Sequence, residues 1–254
     1  MHIAITRQVS PAVNLCELTH LERVPIDLER ARRQHHAYEE TLRLLGVEVH
    51  SLPEEPELPD SVFVEDAAIV LEECALLTRL GAEARRPESE SVARALAPYR
   101  QLFSLQPPAT LDGGDVLSVG KTIYIGLSSR SNAAALEQAQ AFVKPYGYTV
   151  KAVRVSGCLH LKSAVTQVAA DTLLLNPAWV EPVNFPALKI IEIDPSEPYA
   201  ANALLVGASL LFQPAFPKTL RRMEAVGILP RLVDQSELGK AEGGLTCCAL
   251  LIKN

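Results

Sequence analysis

Short apolar runs recur along this chain, each broken by a turn and most followed by residues spaced for a helix. Residues 2–7 read as a buried strand. Gln8 to Val24 is mixed and irregular, a loop or flap with Leu15 and Leu18 as isolated apolar points. From Asp27 to Leu45 the pattern turns helical. Asp27 supplies an N-cap, and Leu28, Ala31, His35, Tyr38, Leu42 and Leu45 recur at three- and four-residue steps. Gly46 follows as a C′ residue should, and Val47 to Leu52 alternates as a strand. The acidic, proline-rich stretch from Pro53 to Pro59 reads as a surface loop rather than a domain linker.

What comes next repeats. Ser61 to Asp66 leads into a strand at Ala67–Val70, a turn at Glu72-Glu73 and a strand at Ala75–Thr78. Asp112-Gly113-Gly114-Asp115 leads into Val116–Val119, a Gly120-Lys121 turn and Ile123–Gly126. His160-Leu161-Lys162 leads into Ala164–Ala169, Ala170-Asp171 and Thr172–Leu175; Ala201-Asn202-Ala203 leads into Leu204–Val206, Gly207-Ala208 and Leu210–Phe212. Helical patterns follow at Glu88–Leu96, Asn132–Tyr146 and Lys218–Val226. The polar leads at Asp60, Asp112, His160 and Asn202 lie 52, 48 and 42 residues apart. That period means an α/β propeller-like or repeat architecture. Units so related bring equivalent strand ends to one centre, which predicts that Asp66, Asp112, His160 and Cys247 converge.

Composition narrows the partners. The 254 residues carry a net charge of −6, with 48% hydrophobic and 21% charged residues, an ordinary globular balance. No basic stripe is available for a nucleic acid, and no apolar run is long enough to span a bilayer. Met1 to Arg7 goes straight into a strand pattern without the features of a signal peptide, so a cytoplasmic protein is expected. Five cysteines without framework spacing imply reduced thiols, and neither they nor the six histidines suggest a structural metal.

Chemistry concentrates at the polar leads. Cys247 follows Gly243-Gly244 at the mouth of an apolar tail, with Cys248, Ala249, Leu250, Leu251 and Ile252 expected as a strand. A thiol there is placed to be a nucleophile, although free cysteines also serve as small core residues. His160 could shuttle a proton or be structural. Asp112-Gly113-Gly114-Asp115 could be a plain acidic turn. Arg85-Arg86 and Arg130 suit either a solvated face or a carboxylate clamp. His35 and His36 sit on a helix, and His2, His20 and His50 lack a polar motif. A thiol, a histidine and several acids together suit attack on a cationic carbon.

The runs Leu58–Asp66, Thr78–Arg86, Thr110–Val116, Leu159–Lys162 and Leu245–Cys248 closely resemble dimethylarginine dimethylaminohydrolase, in family order from Ile3 to Lys253. The resemblance implies the pentein fold, a five-bladed α/β propeller of ββαβ-type units, here as a single catalytic domain over 1–254. It implies hydrolysis of Nω-methylated arginines to citrulline and a methylamine, with no cofactor and no metal. The expected partner is the small-molecule methylated arginine; no nucleic acid or membrane is expected, and a homodimer is left open. By motif, Cys247 would attack the guanidinium carbon to give a thiouronium. His160 would protonate the departing amine and then activate water, oriented by Asp112. Asp66, with Asp60 and Glu65, would bind guanidinium nitrogens, and Arg85 and Arg130 would clamp the α-carboxylate. Leu18 and Ala241 would offer carbonyls to the α-amino group. Leu80 and Glu242 replace the proline and aspartate usual in the family, and the flap from Val9 to Val24 is the least family-like region. The competing readings are an arginine deiminase and, from a different class, a catalytically silent binder of arginine-like ligands or a thiol-based metal or nitric-oxide sensor.

Overall fold

The computed structural model describes residues 2–253, arranged as five three-stranded sheets. Each sheet is a hairpin with a third, parallel strand added on its outer side. Four sheets follow chain order, their hairpins at 68–77, 116–127, 165–175 and 204–212 and their parallel strands at 101–104, 149–154, 189–192 and 231–232. The fifth is closed by the two ends of the chain. His2–Arg7 pairs antiparallel with Leu250–Lys253 and parallel with Val47–Leu52. Read circularly, this blade begins at Cys247 and repeats the same plan, which makes the molecule a five-bladed α/β propeller.

The apolar runs have a specific cause. Successive side chains on a strand point to opposite faces, and here the two faces belong to different interblade cores. Leu173 and Leu175 pack with Leu117 and Tyr124, whereas Leu174 between them packs with Leu210 and Phe212. Ile123 and Ile125 face Ile69 and Leu76, while Tyr124 turns the other way. A strand buried on both faces must be apolar at every position, so period-two alternation is erased.

Helices cover the outer edges at Leu28–Leu44, Glu88–Leu96, Ala133–Val143 and Pro217–Glu224. Asp27 caps the first by accepting from the Arg30 N–H at 3.0 Å, and Asn132 caps the third the same way. Gly46 takes a φ of +79° beyond the first. The unit starting at His160 departs from the repeat: only a 3-10 turn, Pro182–Asn184, stands where its neighbours have a helix. The C-terminal strand also begins later than expected, at Leu250, because Thr246 to Ala249 are held in turns. Among the described residues, no helix is long and apolar enough to cross a membrane.

The first helix supports that turn directly. Tyr38, fully buried on its inner face, donates its hydroxyl to the Leu245 carbonyl at 3.0 Å. Tyr38→Phe strands a buried carbonyl, and urea unfolding is expected to show a loss of about 1–2 kcal/mol; no loss would mean the bond contributes nothing to the turn.

Candidate active site

The polar leads of the blades do converge. Asp66, Asp112 and His160 place one oxygen or nitrogen each within 4.8 Å of one another, all three buried. The close approach depends on Gly113, where an added Cβ would meet the Glu65 carbonyl oxygen at 1.9 Å. Asp112-Gly113-Gly114-Asp115 is therefore more than an acidic turn: it is the surface on which the first blade's lead rests. The Gly114 N–H donates to Asp66 Oδ1 at 2.9 Å, and the Gly81 N–H to Asp112 Oδ1 at 2.8 Å.

His160 Nε2 pairs with Asp112 Oδ2 at 3.0 Å, and Nδ1 lies 3.9 Å from Asp66 Oδ1. Burial works against the imidazolium, but Asp66, the bond to Asp112, and Asp115 outweigh it and raise the pKa to about 9. A pKa raised above the ordinary 6.5 contributes stability that is complete below that value and lost as pH rises through about 9. At neutral pH the ring is a charged donor at both nitrogens. Asp66 stays ionised in turn: burial opposes its charge, and His160, Arg85 and the Gly114 N–H prevail.

Cys247 joins this group through the backbone, its carbonyl accepting from the Glu65 N–H at 3.1 Å. The Gly243-Gly244 pair borders the cavity at Cys247 and is packed tightly against protein groups on its other side. A Cβ at Gly243 would strike the Phe63 ring at 2.3 Å, and one at Gly244 the Asn202 side chain at 2.4 Å. The Gly244 N–H points at Cys247 Sγ, 3.3 Å away. Burial, then the charges of Glu65 and Asp66, push this thiol up to about 12. Half-buried Cys247 lines a cavity of about 240 Å³ with Leu21, Tyr199, Asn202, Phe216 and Glu242. Cys248 is fully buried, its Sγ turned to the Gln235 side chain.

The other expected residues divide. Arg130 is buried and reaches the flap, Nη2 donating to Thr19 Oγ1 at 3.1 Å, while its buried Nη1 has no partner. Leu18 and Ala241 keep carbonyls that accept no hydrogen bond among the described residues. Asp60 Oδ2 accepts from the flap, at the Glu17 N–H. Glu65 is turned to Lys162 and Thr246. Together with those two it borders a 260 Å³ channel lined by all five blades (Ala68, Val116, Thr166, Leu204 and Leu250 among them), and none of Asp66, Asp112, His160 or Cys247 lines it. Arg85 is not on a solvated face. Its fork grips Glu88 at 3.0 Å on both oxygens, and Nη1 reaches Asp66 Oδ2 at 2.9 Å.

Three supporting residues escaped the sequence reading. Asp115 accepts from the Leu161 N–H and from the hydroxyls of Ser128 and Ser131, tying the His160 lead to the Arg130 segment. Glu88 holds Arg85, and Lys162 neutralises Glu65. Only pairing identifies them, and pairing is not written in spacing. Asp66, Asp112 and His160 are also the set among the described residues whose ligating atoms lie close enough for a metal ion, and His160 Nε2 is hydrogen-bonded to Asp112 Oδ2.

Such an arrangement is that of a pentein: a five-bladed α/β propeller with a thiol, a histidine and acids gathered where its blades meet. Comparison with known proteins narrows this further. A family profile described as "N,N dimethylarginine dimethylhydrolase, eukaryotic" matches residues 14–177. A Streptomyces coelicolor N(G),N(G)-dimethylarginine dimethylaminohydrolase is 40% identical over 98% of this chain and 96% of its own length. Its Pseudomonas aeruginosa counterpart is 34% identical over 88% and 89%. A solved structure of the Pseudomonas aeruginosa protein, a cysteine-to-serine mutant complexed with citrulline, superposes with a TM-score of 0.93 at 32% identity, covering 98% of each chain. The chain belongs to the dimethylarginine dimethylaminohydrolase family.

A thiol pushed to about 12 leaves little thiolate at neutral pH. In the ligand-free protein, alkylation of Cys247 by iodoacetamide, followed by peptide mass mapping, is expected to rise about tenfold per pH unit from pH 7 to 10. A plateau below pH 9 would contradict this protonation state.

Proposed function

We propose that this chain hydrolyses Nω-methylated L-arginines to L-citrulline and dimethylamine or methylamine, through a covalent thiouronium on Cys247. The observation that carries the reading is the cluster itself: Asp66, Asp112 and His160 lie within 4.8 Å of one another, and Cys247 is bonded through its carbonyl to the neighbouring Glu65 N–H. Its nucleophile is held neutral by burial and by two carboxylates, while its acid is held charged by three. A guanidinium cation placed among Glu65, Asp66 and Cys247 reverses the first condition, because an adjacent positive charge favours thiolate. The ligand itself then switches the nucleophile on.

On binding, the thiol proton passes to solvent, and the resulting thiolate attacks the guanidinium carbon, forming the C–S bond and a tetrahedral adduct; the amine released later takes up a proton from solvent in its place. His160, as imidazolium, gives its proton to the substituted nitrogen, and the C–N bond breaks to release the amine. Neutral His160 then takes a proton from water as the oxygen attacks the thiouronium carbon. Collapse breaks the C–S bond, leaving citrulline and the thiol. Asp112 holds the ring in position throughout, and Asp66 pairs with a guanidinium nitrogen. Arg130 Nη1, buried without a partner, fits the substrate's α-carboxylate, and the free carbonyls of Leu18 and Ala241 fit its α-amino group. Asp60 acts through the flap, Glu65 through the field it shares with Lys162, and Arg85 chiefly by fixing Asp66.

Citrulline release from asymmetric dimethylarginine, monomethylarginine and arginine, measured in parallel, tests the reading. Turnover of the methylated substrates with arginine inert is expected; turnover of arginine alone would make the protein a deiminase. Cys247→Ser is expected to abolish turnover while substrate still binds, and Cys248→Ser to retain most of it. A dead Cys248 variant beside an active Cys247 variant would reassign the nucleophile.

A further inference from the structure

Glu242 is the one non-glycine residue of the described chain with a left-handed backbone, at φ +58°. It sits where the turn after Ser236–Gly239 closes: the Gly243 N–H reaches back to the Leu238 carbonyl and the Glu242 N–H to the Gly239 carbonyl. These paired bonds make a Schellman turn, whose left-handed position ordinarily goes to glycine. A side chain held there against local preference is a pointer to function. The Glu242 carboxylate shows what it does. It accepts from three successive flap amides: Thr19 at 3.1 Å, His20 at 2.5 Å and Leu21 at 2.7 Å.

We infer that Glu242 is the latch that fastens the flap to the nucleophile's loop and thereby fixes the substrate's amino-acid end. The inference rests on the function proposed above, and adds a positioning residue to it. Glu242 directly follows Ala241, and the amides it holds directly follow Leu18. One carboxylate thus sets the span between the two carbonyls that would receive the α-amino group. It also keeps Thr19 against Arg130, whose other terminal nitrogen awaits the carboxylate. Leu21, drawn in by the same bonds, walls the cavity at Cys247. Asp60, bonded to the Glu17 N–H, fastens the flap on the other side of Leu18. Leu18 thus lies between two anchored amides, those of Glu17 and Thr19.

The latch makes two variants informative. Glu242→Gly suits the left-handed turn and removes the carboxylate; Glu242→Gln keeps the side chain's length and loses its charge. Amide hydrogen exchange on the ligand-free protein is read at Thr19, His20 and Leu21, with Leu250–Lys253 as the internal reference. Losing charge-assisted bonds at these amides is expected to speed their exchange about tenfold or more in Glu242→Gly, and less in Glu242→Gln, with the reference strand unchanged. KM for asymmetric dimethylarginine is expected to rise about tenfold with kcat within about threefold, since the reacting atoms are untouched. Unchanged exchange at the three flap amides would overturn the latch, as would equal acceleration in the reference strand, which would mark a purely structural role. If the wild-type protein turns over no methylated arginine, the exchange result still decides the latch and only the functional reading falls.

Discussion

The structure depends on a buried cluster of charges satisfied by its own members and by a few fixed N–H and hydroxyl groups around it. Asp66, Asp112 and Asp115 surround one imidazolium, and Arg85 with Glu88 extends the group outward. Charges taken out of water are costly unless each is paired and hydrogen-bonded. Here backbone N–H groups of Gly81, Gly114 and Leu161 complete the set. Removing one partner would leave the others uncompensated, so the cluster behaves as a unit. Its geometry cannot relax without unmaking the junction between blades.

That junction explains why a propeller hosts this chemistry. Each blade presents the turn before its first strand toward the common axis, and each turn is held by a neighbour: Glu65 by Thr246, Gly114 by Asp66, Leu161 by Asp115, Asn202 by Lys162 and Thr246. The blades are glued by apolar cores that alternate along every central strand. Rigidity in the cores therefore becomes precision at the centre. The same plan closes the ring, because the chain's first strand completes the hairpin that the Cys247 turn begins.

Much of this was legible in the sequence. The period of the polar leads predicted the propeller and the convergence of Asp66, Asp112 and His160, because symmetry converts spacing into position. Cap chemistry fixed the first helix at Asp27 and Gly46. The late start of the last strand was not legible, since turns at Thr246–Ala249 depend on partners far along the chain. Residue roles were harder still. Arg85 and Glu65 look like ligand-facing charges by motif, yet Glu88 and Lys162 claim them, and a pairing across blades leaves no local trace. Glu242 stood out only as a departure from family pattern; its bonds to Thr19, His20 and Leu21 cross more than two hundred residues.

The central claim is that Cys247 bonds to the guanidinium carbon and that His160 is needed to move protons on either side of that bond. Intact and peptide mass spectrometry of His160→Gly protein, acid-quenched after mixing with S-methyl-L-thiocitrulline, whose thiolate departs without a donated proton, tests it most directly. An adduct confined to the peptide carrying Cys247-Cys248, abolished by adding Cys247→Ser but not Cys248→Ser, is the expected result. Turnover by the Cys247→Ser protein, or an adduct that persists without that sulfur, would contradict it.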